Sequence, residues 1–391
     1  MKSRRADRSG REVQMAAWLF VLNPGSTSTK TALFHDRTCL QAETVRHSPE
    51  ELARAGSVFA QLPVRLAAIR KALDQALSAN RLRPEDITAY VGRGGLLHPL
   101  PSGIYRVSPD MLADLEMARY GDHASNLGAV IASMLARDLK KEAYIVDPPC
   151  VDEMVELARY TGLPQIRRIS AFHALNHKAV GRLAAETLGR TYDSCNLVIA
   201  HLGGGISVGA HRQGHVVDVN NALEEGPFSP ERAGSLPTRQ LLDLCYKKNL
   251  SLAETRQMLV GQGGLYAYTG TIDCRLIEEQ AAARPDYLEL LQAMAYQTAK
   301  TIGAMAVSLA GKIDAIALTG GLAHSAWLTG LIQEQVAFLG PVLVFPGEYE
   351  MTALAERALK VLRGEEEAQD YVREPWPEDA KRSGEDHAAA V

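Results

Sequence analysis

The sequence predicts an α/β protein with two similar halves, and two observations support this prediction. Short apolar segments typical of strands alternate along the chain with longer segments typical of amphipathic helices, which is the pattern of sheets covered by helices. In addition, W-L-F-V-L with the following N-P-G-S-T-S-T-K-T-A resembles N-L-V-I-A with the following H-L-G-G-G-I-S-V-G-A in the second half. Chance similarity between two glycine-rich hairpins is the alternative explanation.

Each element follows from this alternation of apolar and polar residues. Strands are predicted at residues 18–22, 31–34, 89–91, 143–146, 197–200, 206–210, 216–219, 315–318 and 342–344. Helices are predicted at residues 64–79, 110–120, 126–139, 178–188, 285–309 and 351–362.

Length and composition limit the class of protein. The 391 residues suffice for two domains, and the net charge of −4 gives no reason to expect nucleic acid as a partner. No apolar run is long enough to span a membrane.

Residues 1–14 are expected to be a disordered extension, with Met15 as an alternative start, and 372–391 a flexible tail. The cysteines are scattered, which favours a reducing, cytoplasmic location over disulfides or a zinc site: Cys39, Cys150, Cys195, Cys245 and Cys274.

Three glycine-rich loops follow predicted strands, namely N-P-G-S-T-S-T-K at residues 23–30, H-L-G-G-G at 201–205 and L-T-G-G-L at 318–322. Backbone N–H groups of such loops form nests for anions, and glycine permits close approach. None has the Walker or the Rossmann pattern. The first loop alone is explained as well by a solvated hairpin. The three together predict phosphate binding, with two similar domains facing one nucleotide.

Two arginines lie in segments that favour ligand binding. Arg93 stands between glycines just after a predicted strand, where it can reach a ligand at the edge of a sheet. Arg232 lies in the long segment 226–235, which has no predicted element, and long loops in compact domains are often functional. A surface arginine that contacts only water is the alternative for Arg93.

Acidic residues and histidines complete the candidate set. Asp147 ends an apolar strand and is explained either as a Mg²⁺-directed carboxylate or as a turn cap. Glu348 and Glu350 begin a predicted helix, where they either complement its dipole or bind a ligand. His173 and His177 are four residues apart, but no third zinc ligand is evident, so a zinc site is not predicted. Positive charge, carboxylates and phosphate loops together indicate phosphoryl transfer.

The motifs, in order, resemble those of the acetokinase family of acetate and butyrate kinases over residues 17–371. The motifs are N-P-G-S-T-S-T-K, V-G-R-G-G-L-L, I-V-D-P-P, F-H-A-L-N, H-L-G-G-G-I-S-V-G-A, D-V-N-N-A, G-P-F-S-P-E-R and L-T-G-G-L. The resemblance implies two ribonuclease-H-like domains around a nucleotide cleft, as in sugar kinases, actin and heat-shock ATPases. It also implies an acyl-binding lobe at 15–147 with 350–371, a nucleotide-binding lobe at 148–349, and a homo-oligomer.

The resemblance also implies roles for individual residues. Arg232 matches the catalytic arginine, and His173 matches the histidine that steadies the transferring phosphoryl group. Asp147 and Glu350 match the residues that serve Mg²⁺, which the resemblance implies they do through water. The expected ATP- and phosphate-binding residues are Asn23, Ser26, Ser28, His201, Gly203, Gly204, Gly205, Gly320 and Gly321.

The expected substrate pocket comprises Gly92, Arg93 and Phe172. Aligned on the glycine pair of V-G-R-G-G, the carboxylate-binding arginine of acetate kinases falls on Tyr90 and their histidine on Arg93. A shift of three positions does not keep the face of a strand, so the role of Arg93 stays open. Gly92 falls where acetate kinases have a valine against the methyl group of the substrate, which predicts room for a longer acid.

These residues predict a reaction in which ATP and butanoate give butanoyl phosphate and ADP, reversibly. A carboxylate with a pKa of about 4–5 is already ionised at neutral pH and needs no general base. Arg93, Arg232 and Mg²⁺ offset its repulsion from ATP, and domain closure aligns the reactants and excludes water. Acetate, propionate and branched-chain acid kinases remain alternatives. So do a sugar kinase, which needs an aspartate base, and an actin- or chaperone-like ATPase.

Overall fold

The computed structural model describes residues 16–25 and 27–374 and folds them into two compact units. The first unit contains the chain up to His98, Gly103–Val146, and the chain from Leu354 onward. The second contains Pro99–Ser102 and Asp147–Ala353. These limits differ slightly from the expected lobes, because the segment Pro99–Ser102, Asp147 and the start of the last helix belong to the second unit. The predictions on residues 1–14, on Ser26 and on 375–391 lie outside the described residues.

The first unit is built on a six-stranded sheet with the order β3-β2-β1-β4-β6-β5. Strands β1, β2 and β3 pair antiparallel, while β1, β4 and β6 pair parallel and β5 lies antiparallel at the edge. The strands are β1 (Trp18–Pro24), β2 (Ser28–His35), β3 (Thr38–Arg46), β4 (Ala89–Arg93), β5 (Ile104–Arg106) and β6 (Glu142–Val146). Strands β3 and β5 were not expected from the sequence, and β3 is mostly polar and exposed.

Helices of the first unit cover its sheet through apolar faces. In α2 the buried residues Leu66, Ile69, Leu73 and Leu77 recur at a spacing of three or four, so one face packs on the strands. The helices are α1 (Pro49–Ala55), α2 (Leu62–Ala79), α3 (Pro109–Glu116) and α4 (Asn126–Arg137).

The second unit repeats this sheet. Its five strands have the order β11-β10-β7-β8-β9, with β7, β8 and β9 antiparallel and β7, β10 and β11 parallel. The strands are β7 (Asn196–Leu202), β8 (Ile206–Arg212), β9 (His215–Val219), β10 (Ala315–Gly320) and β11 (Val342–Pro346). Order and direction match those of β1, β2, β3, β4 and β6, so the predicted similarity of the two halves is confirmed in the topology.

The helices of the second unit include a long one and several short ones. The 24-residue α10 packs its buried face against the core of this sheet. Helices α6–α9 and α11 were not predicted from the sequence, because segments of 6–11 residues carry little periodicity. No helix in the described ranges combines the length and apolar character needed to cross a bilayer. The helices are α5 (Ala174–Thr187), α6 (Thr238–Lys248), α7 (Leu252–Leu259), α8 (Gly264–Thr269), α9 (Cys274–Gln280), α10 (Pro285–Ser308) and α11 (Ala326–Val336).

The last helix, α12 (Glu350–Leu362), leads into a segment that is bound to the first unit. The buried carboxylate of Asp114 accepts hydrogen bonds from Tyr371 Oη at 2.7 Å, Arg373 Nε at 2.8 Å and Arg119 Nη1 at 2.9 Å. Burial alone would raise the pKa of Asp114, but these three hydrogen bonds hold it below its usual value. Val372 and Arg373, at the start of the predicted tail, make hydrogen bonds to this unit.

Candidate active site

The H-L-G-G-G loop joins β7 to β8, and its glycines leave space that neighbouring side chains occupy. A Cβ on Gly205 would lie 2.1 Å from Nη1 of Arg232, and one on Gly203 would lie 2.9 Å from Nε2 of His201. A side chain at Gly205 would therefore displace the guanidinium. The fold thus brings Arg232, the predicted catalytic arginine, against the predicted phosphate loop at residues 201–205, from which it is separate in sequence.

Arg232 is held on this loop by its own segment. Its Nη1 donates to the carbonyl of Ala222 at 3.1 Å, and Ser229 Oγ donates to the carbonyl of Gly204 at 2.5 Å. Burial lowers the pKa of Arg232, although an arginine stays charged at neutral pH. In the described part of the chain, the buried Nε of Arg232 has no hydrogen-bond partner. A buried cation with an unused donor suits an anionic ligand.

Two histidines stack beside the loop. The rings of His173 and His201 lie 3.9 Å apart between centroids, at 14° between planes. His173 immediately precedes α5, and its Nδ1 lies 2.9 Å from Ser207 Oγ. His201 lies near the end of β7, and its Nδ1 lies 2.8 Å from Nδ2 of Asn176. Asn176 and Ser207 had no role in the sequence reading, although Asn176 is part of the quoted F-H-A-L-N motif.

The L-T-G-G-L loop lies directly beside the H-L-G-G-G loop. Gly320 has a φ of +93°, and a Cβ there would lie 2.3 Å from the carbonyl oxygen of Leu202, so this position requires glycine. Gly321 borders a cavity of about 810 Å³, a size suited to a small-molecule ligand. The other lining residues are Ile272, Asp273, Cys274, Arg275, Glu278, Glu279, Leu291, Leu322, His324, Ser325 and Leu328.

The two predicted metal-directed carboxylates both lie in the second unit and are both buried. Asp147 follows β6 with a φ of +38° and accepts a hydrogen bond from Ser102 Oγ at 2.6 Å. Arg182 of α5 lies 3.7 Å from its Oδ2, a partner that the sequence reading missed. Glu350 is the first residue of α12. No group of three or more histidines, cysteines and carboxylates within residues 16–25 and 27–374 is arranged to hold a metal ion.

The predicted residues of the first unit meet at the carboxyl ends of two parallel strands. Arg93 is the last residue of β4, not part of a loop as expected, and its Nη1 lies 3.4 Å from Oδ1 of Asn23 on β1. Between β1 and β2, the backbone N–H of Gly25 donates a hydrogen bond to the carbonyl of Ser28 at 2.7 Å. Arg93 therefore belongs to the same edge of the sheet as the first glycine loop.

Arg65 supports this first loop, and sequence reasoning missed it. This α2 residue is fully buried, and its Nη1 donates to the carbonyl of Gly25 at 2.8 Å while Nε donates to Gln61 Oε1 at 3.0 Å. Nearby, Thr29 Oγ1 lies 2.9 Å from His47 Nε2. Burial lowers the pKa of His47, and the positive charge of Arg65 lowers it further. An arginine in a helical pattern is usually a solvated residue, so no signal in the sequence singled it out.

The steric interpretation of Gly92 is wrong. A Cβ at Gly92 would lie 2.3 Å from the carbonyl oxygen of Gly128, and one at Gly128 would lie 2.1 Å from the carbonyl oxygen of Arg93. The two glycines let α4 pack directly on β4, so Gly92 faces a helix backbone and not a substrate. Phe172 is 5% exposed and packs in an apolar cluster, edge-on to His177. Packing accounts for Phe172 without a ligand.

Comparison with known proteins places the chain among carboxylate kinases. A model described as the acetokinase family matches residues 157–348. A probable butyrate kinase of Phocaeicola vulgatus is 48% identical over 355 residues, which cover 90% of this chain and 99% of that protein. Butyrate kinase 2 of Clostridium acetobutylicum is 46% identical over 356 residues, with the same coverage. The solved structure of Porphyromonas gingivalis acetate kinase superposes with a TM-score of 0.72 at 19% identity, covering 88% of this chain and 99% of that one. This structural likeness supports the α/β fold with two similar sheets.

Proposed function

The chain belongs to the acetokinase family, and we propose that it transfers the γ-phosphoryl group of ATP to the carboxylate of butanoate, forming butanoyl phosphate and ADP. Two relatives named as butyrate kinases, each 46–48% identical over 90% of the chain, support the choice of acid. One structural observation carries the chemistry: the guanidinium of Arg232 fills the space that Gly205 leaves on a glycine loop, and its buried Nε has no hydrogen-bond partner among the described residues.

In this proposal Arg232 stabilises the charge that the transferring phosphoryl group carries in the transition state. The attacking carboxylate is already ionised, so the reaction requires charge neutralisation and alignment and no proton abstraction. The stacked His173 and His201 lie next to the same loop and would donate hydrogen bonds to phosphate oxygens. The cavity beside Gly321 is of a size to hold the adenosine. Asn23 and Arg93, at the edge of the first sheet, would hold the acyl side.

Magnesium fits the residues present only if the substrate supplies much of its coordination. Mg²⁺ prefers oxygen ligands and usually keeps several waters, with one or two carboxylates and phosphates of the substrate. Asp147 and Glu350 are buried carboxylates of that kind in one unit, and no cluster of three donors occurs among the described residues. When bound, the ion would neutralise phosphate charge. Asp147 and Glu350 would hold it, and Arg182 and Ser102 would keep Asp147 in place.

The preference for a four-carbon acid rests on the relatives, because Gly92 does not determine the pocket. Propionate and branched-chain acids therefore remain the competing substrates of the same reaction class. Cytoplasmic location is also proposed, because the scattered spacing of the five cysteines in the sequence favours a reducing compartment. The expected homo-oligomer stays a prediction.

The direct test is acyl hydroxamate formation by the purified protein with ATP, Mg²⁺ and unbranched acids of two to six carbons, together with isobutyrate. The proposal expects the highest kcat/KM for butanoate and dependence on Mg²⁺. A higher value for acetate or propionate would correct the substrate. Steady ATP hydrolysis without any hydroxamate would contradict carboxylate phosphorylation and favour the ATPase alternative. Phosphorylation of glycerol or a hexose would favour a sugar kinase.

A further inference from the structure

A continuous row of hydrogen bonds leads away from His173 through the interior of the second unit. Its links are Tyr192 Oη to His211 Nδ1 at 2.6 Å, His211 Nε2 to His177 Nδ1 at 3.2 Å, His177 Nε2 to Ser207 Oγ at 2.9 Å, and Ser207 Oγ to His173 Nδ1 at 2.9 Å. The three middle residues have no solvent exposure. Because these three residues are shielded from water, the hydrogen bonds within the row decide which ring nitrogens carry a proton.

Tyr192, at the end of the row away from His173, decides which atom donates in each hydrogen bond. In the described part of the chain, His211 Nδ1 is the one hydrogen-bond partner of the Tyr192 phenol. Burial raises the pKa of Tyr192 well above its usual value, so the phenol keeps its proton at neutral pH. If His211 donated to the phenol oxygen, the phenolic proton would have no acceptor in this row. Tyr192 therefore donates, and His211 Nδ1 accepts.

The positions of the other ring protons in the row follow because His177 and His211 are neutral. Complete burial lowers the pKa of both His177 and His211 well below the usual value, so each ring carries one proton. His211 must then donate from Nε2 to His177 Nδ1, and His177 must donate from Nε2 to Ser207 Oγ. Within this row of described residues, the Ser207 hydroxyl then donates to His173 Nδ1. A neutral His173 consequently carries its proton on Nε2.

A second, independent contact fixes the position of the proton on His201, the histidine that stacks on His173. The backbone N–H of Tyr349 donates to Oδ1 of Asn176 at 3.0 Å, which turns the amide nitrogen toward His201 Nδ1 at 2.8 Å. Because an amide nitrogen only donates, His201 Nδ1 accepts and its proton lies on Nε2. That Nε2 faces the glycine loop, since it lies 2.9 Å from where a Cβ of Gly203 would be.

We propose that these contacts hold His173 and His201 as a pair of Nε2–H donors for phosphate oxygens, and that Tyr192 is the positioning residue that orders the longer row. This rests on the proposed function. It goes further by assigning the proton of a neutral His173 to Nε2, with Nδ1 as the acceptor of the Ser207 hydroxyl. Donors fixed before the substrate arrives need no rearrangement during the reaction, which is where electrostatic catalysis gains most.

The first experiment reads the protons directly. Long-range ¹H–¹⁵N NMR spectra of protein with labelled histidines distinguish Nδ1–H from Nε2–H, and single His→Asn variants assign the signals. The expected result is Nε2–H at His173, His177, His201 and His211. Nδ1–H at His173 in the wild type would overturn the proposal. Since this measurement uses no substrate, its failure is distinguishable from a failure of the acid assay.

The second experiment tests the residue farthest from the chemistry. Tyr192→Phe keeps the ring and removes the donor, so a share of His173 should change to Nδ1–H and kcat should fall about tenfold, as for other outer hydrogen-bond partners, with KM for the acid unchanged. Ser207→Ala interrupts the row beside His173 and should have the same effect if Tyr192→Phe folds poorly. Tyr246→Phe is the matched control, because it removes a hydroxyl from a tyrosine that is 83% exposed. It should change neither the tautomer of His173 nor kcat. Unchanged tautomers and kcat in both Tyr192→Phe and Ser207→Ala would overturn the proposal.

Discussion

The loops after β1 and β7 occupy the same place in two sheets of the same topology, but an arginine meets each of them differently. In the first unit, Arg65 is fully buried and donates to the carbonyl of Gly25. In the second, Arg232 takes the space left by Gly205 and keeps a buried Nε without a partner among the described residues. The same charge therefore stabilises a loop in one unit, whereas in the other we propose that it binds the ligand.

The difference shows what a repeated fold does and does not carry over. The repeated strands place both loops at the carboxyl ends of parallel strands, where ligands of α/β proteins commonly bind. Whether a loop contains one glycine or three then depends on what must lie against it. The following predictions use this contrast, beginning with the largest effect.

Arg232→Ala should reduce kcat/KM about 10²–10³-fold, because it removes a preorganised donor from the transition state. Arg232→Lys should recover only part of this, since an ammonium group lacks the planar set of donors. Steady-state kinetics with butanoate and ATP measure both. Thermal unfolding is the control, and a loss of activity matched by a loss of folded protein would contradict the assignment.

Gly205→Ala should reduce kcat/KM about 10²-fold, because its Cβ would displace the guanidinium of Arg232. The double variant sharpens the interpretation: in an Arg232→Ala background, Gly205→Ala should cost little more. Full additivity of the two changes would show that Gly205 acts on something other than Arg232. Gly321→Ala is a matched glycine control for folding, because a Cβ there meets nothing within 4 Å.

Arg65→Met should lower the free energy of unfolding by about 2–4 kcal/mol, because the Gly25 carbonyl and Gln61 lose a buried donor. Urea denaturation measures the change. Arg70→Met is the matched control on the same helix: its ion pair with Asp138 is exposed, so a change below about 0.5 kcal/mol is expected. Equal effects of the two variants would remove the distinction between a buried and a solvated arginine.

Gly92→Ala should lower the free energy of unfolding by about 1–3 kcal/mol, because the added Cβ would force α4 away from β4. The ratio of kcat/KM for butanoate to that for acetate should stay unchanged in the folded fraction. A clear shift of that ratio toward acetate would restore the discarded interpretation of Gly92 as part of the acyl pocket.

Lower pH should weaken the second unit more than the first. His177 and His211 have folded-state pKa values well below the unfolded value of about 6.5, so the unfolded state binds more protons as the pH falls through that value. Their stabilising contribution is complete above about pH 7.5 and falls by about 1.5 kcal/mol by pH 6.0. In the first unit, the lowered pKa of His47 acts in the same direction. Urea unfolding at several pH values measures this, and a His211→Gln variant should show a smaller pH dependence.

The sequence by itself determined the α/β class, the internal repeat and the glycine loops, because apolar periodicity and glycine content are local properties. Most predicted strands and helices are present with ends shifted by a few residues. The polar edge strand β3 and the short helices α6–α9 were not predicted from the sequence, because their apolar pattern is weak or brief.

Only the tertiary structure decided which atoms meet. Arg65 and Arg232 are equally basic in sequence, yet burial behind one loop and contact with the other separate their roles. The sequence suggested that Gly92 widens the substrate pocket, but a Cβ added at Gly92 would point to the backbone of Gly128. Nor does spacing show that Tyr192 lies at the end of a row that reaches His173. Side-chain direction and burial depend on packing between distant segments, and no local pattern encodes them.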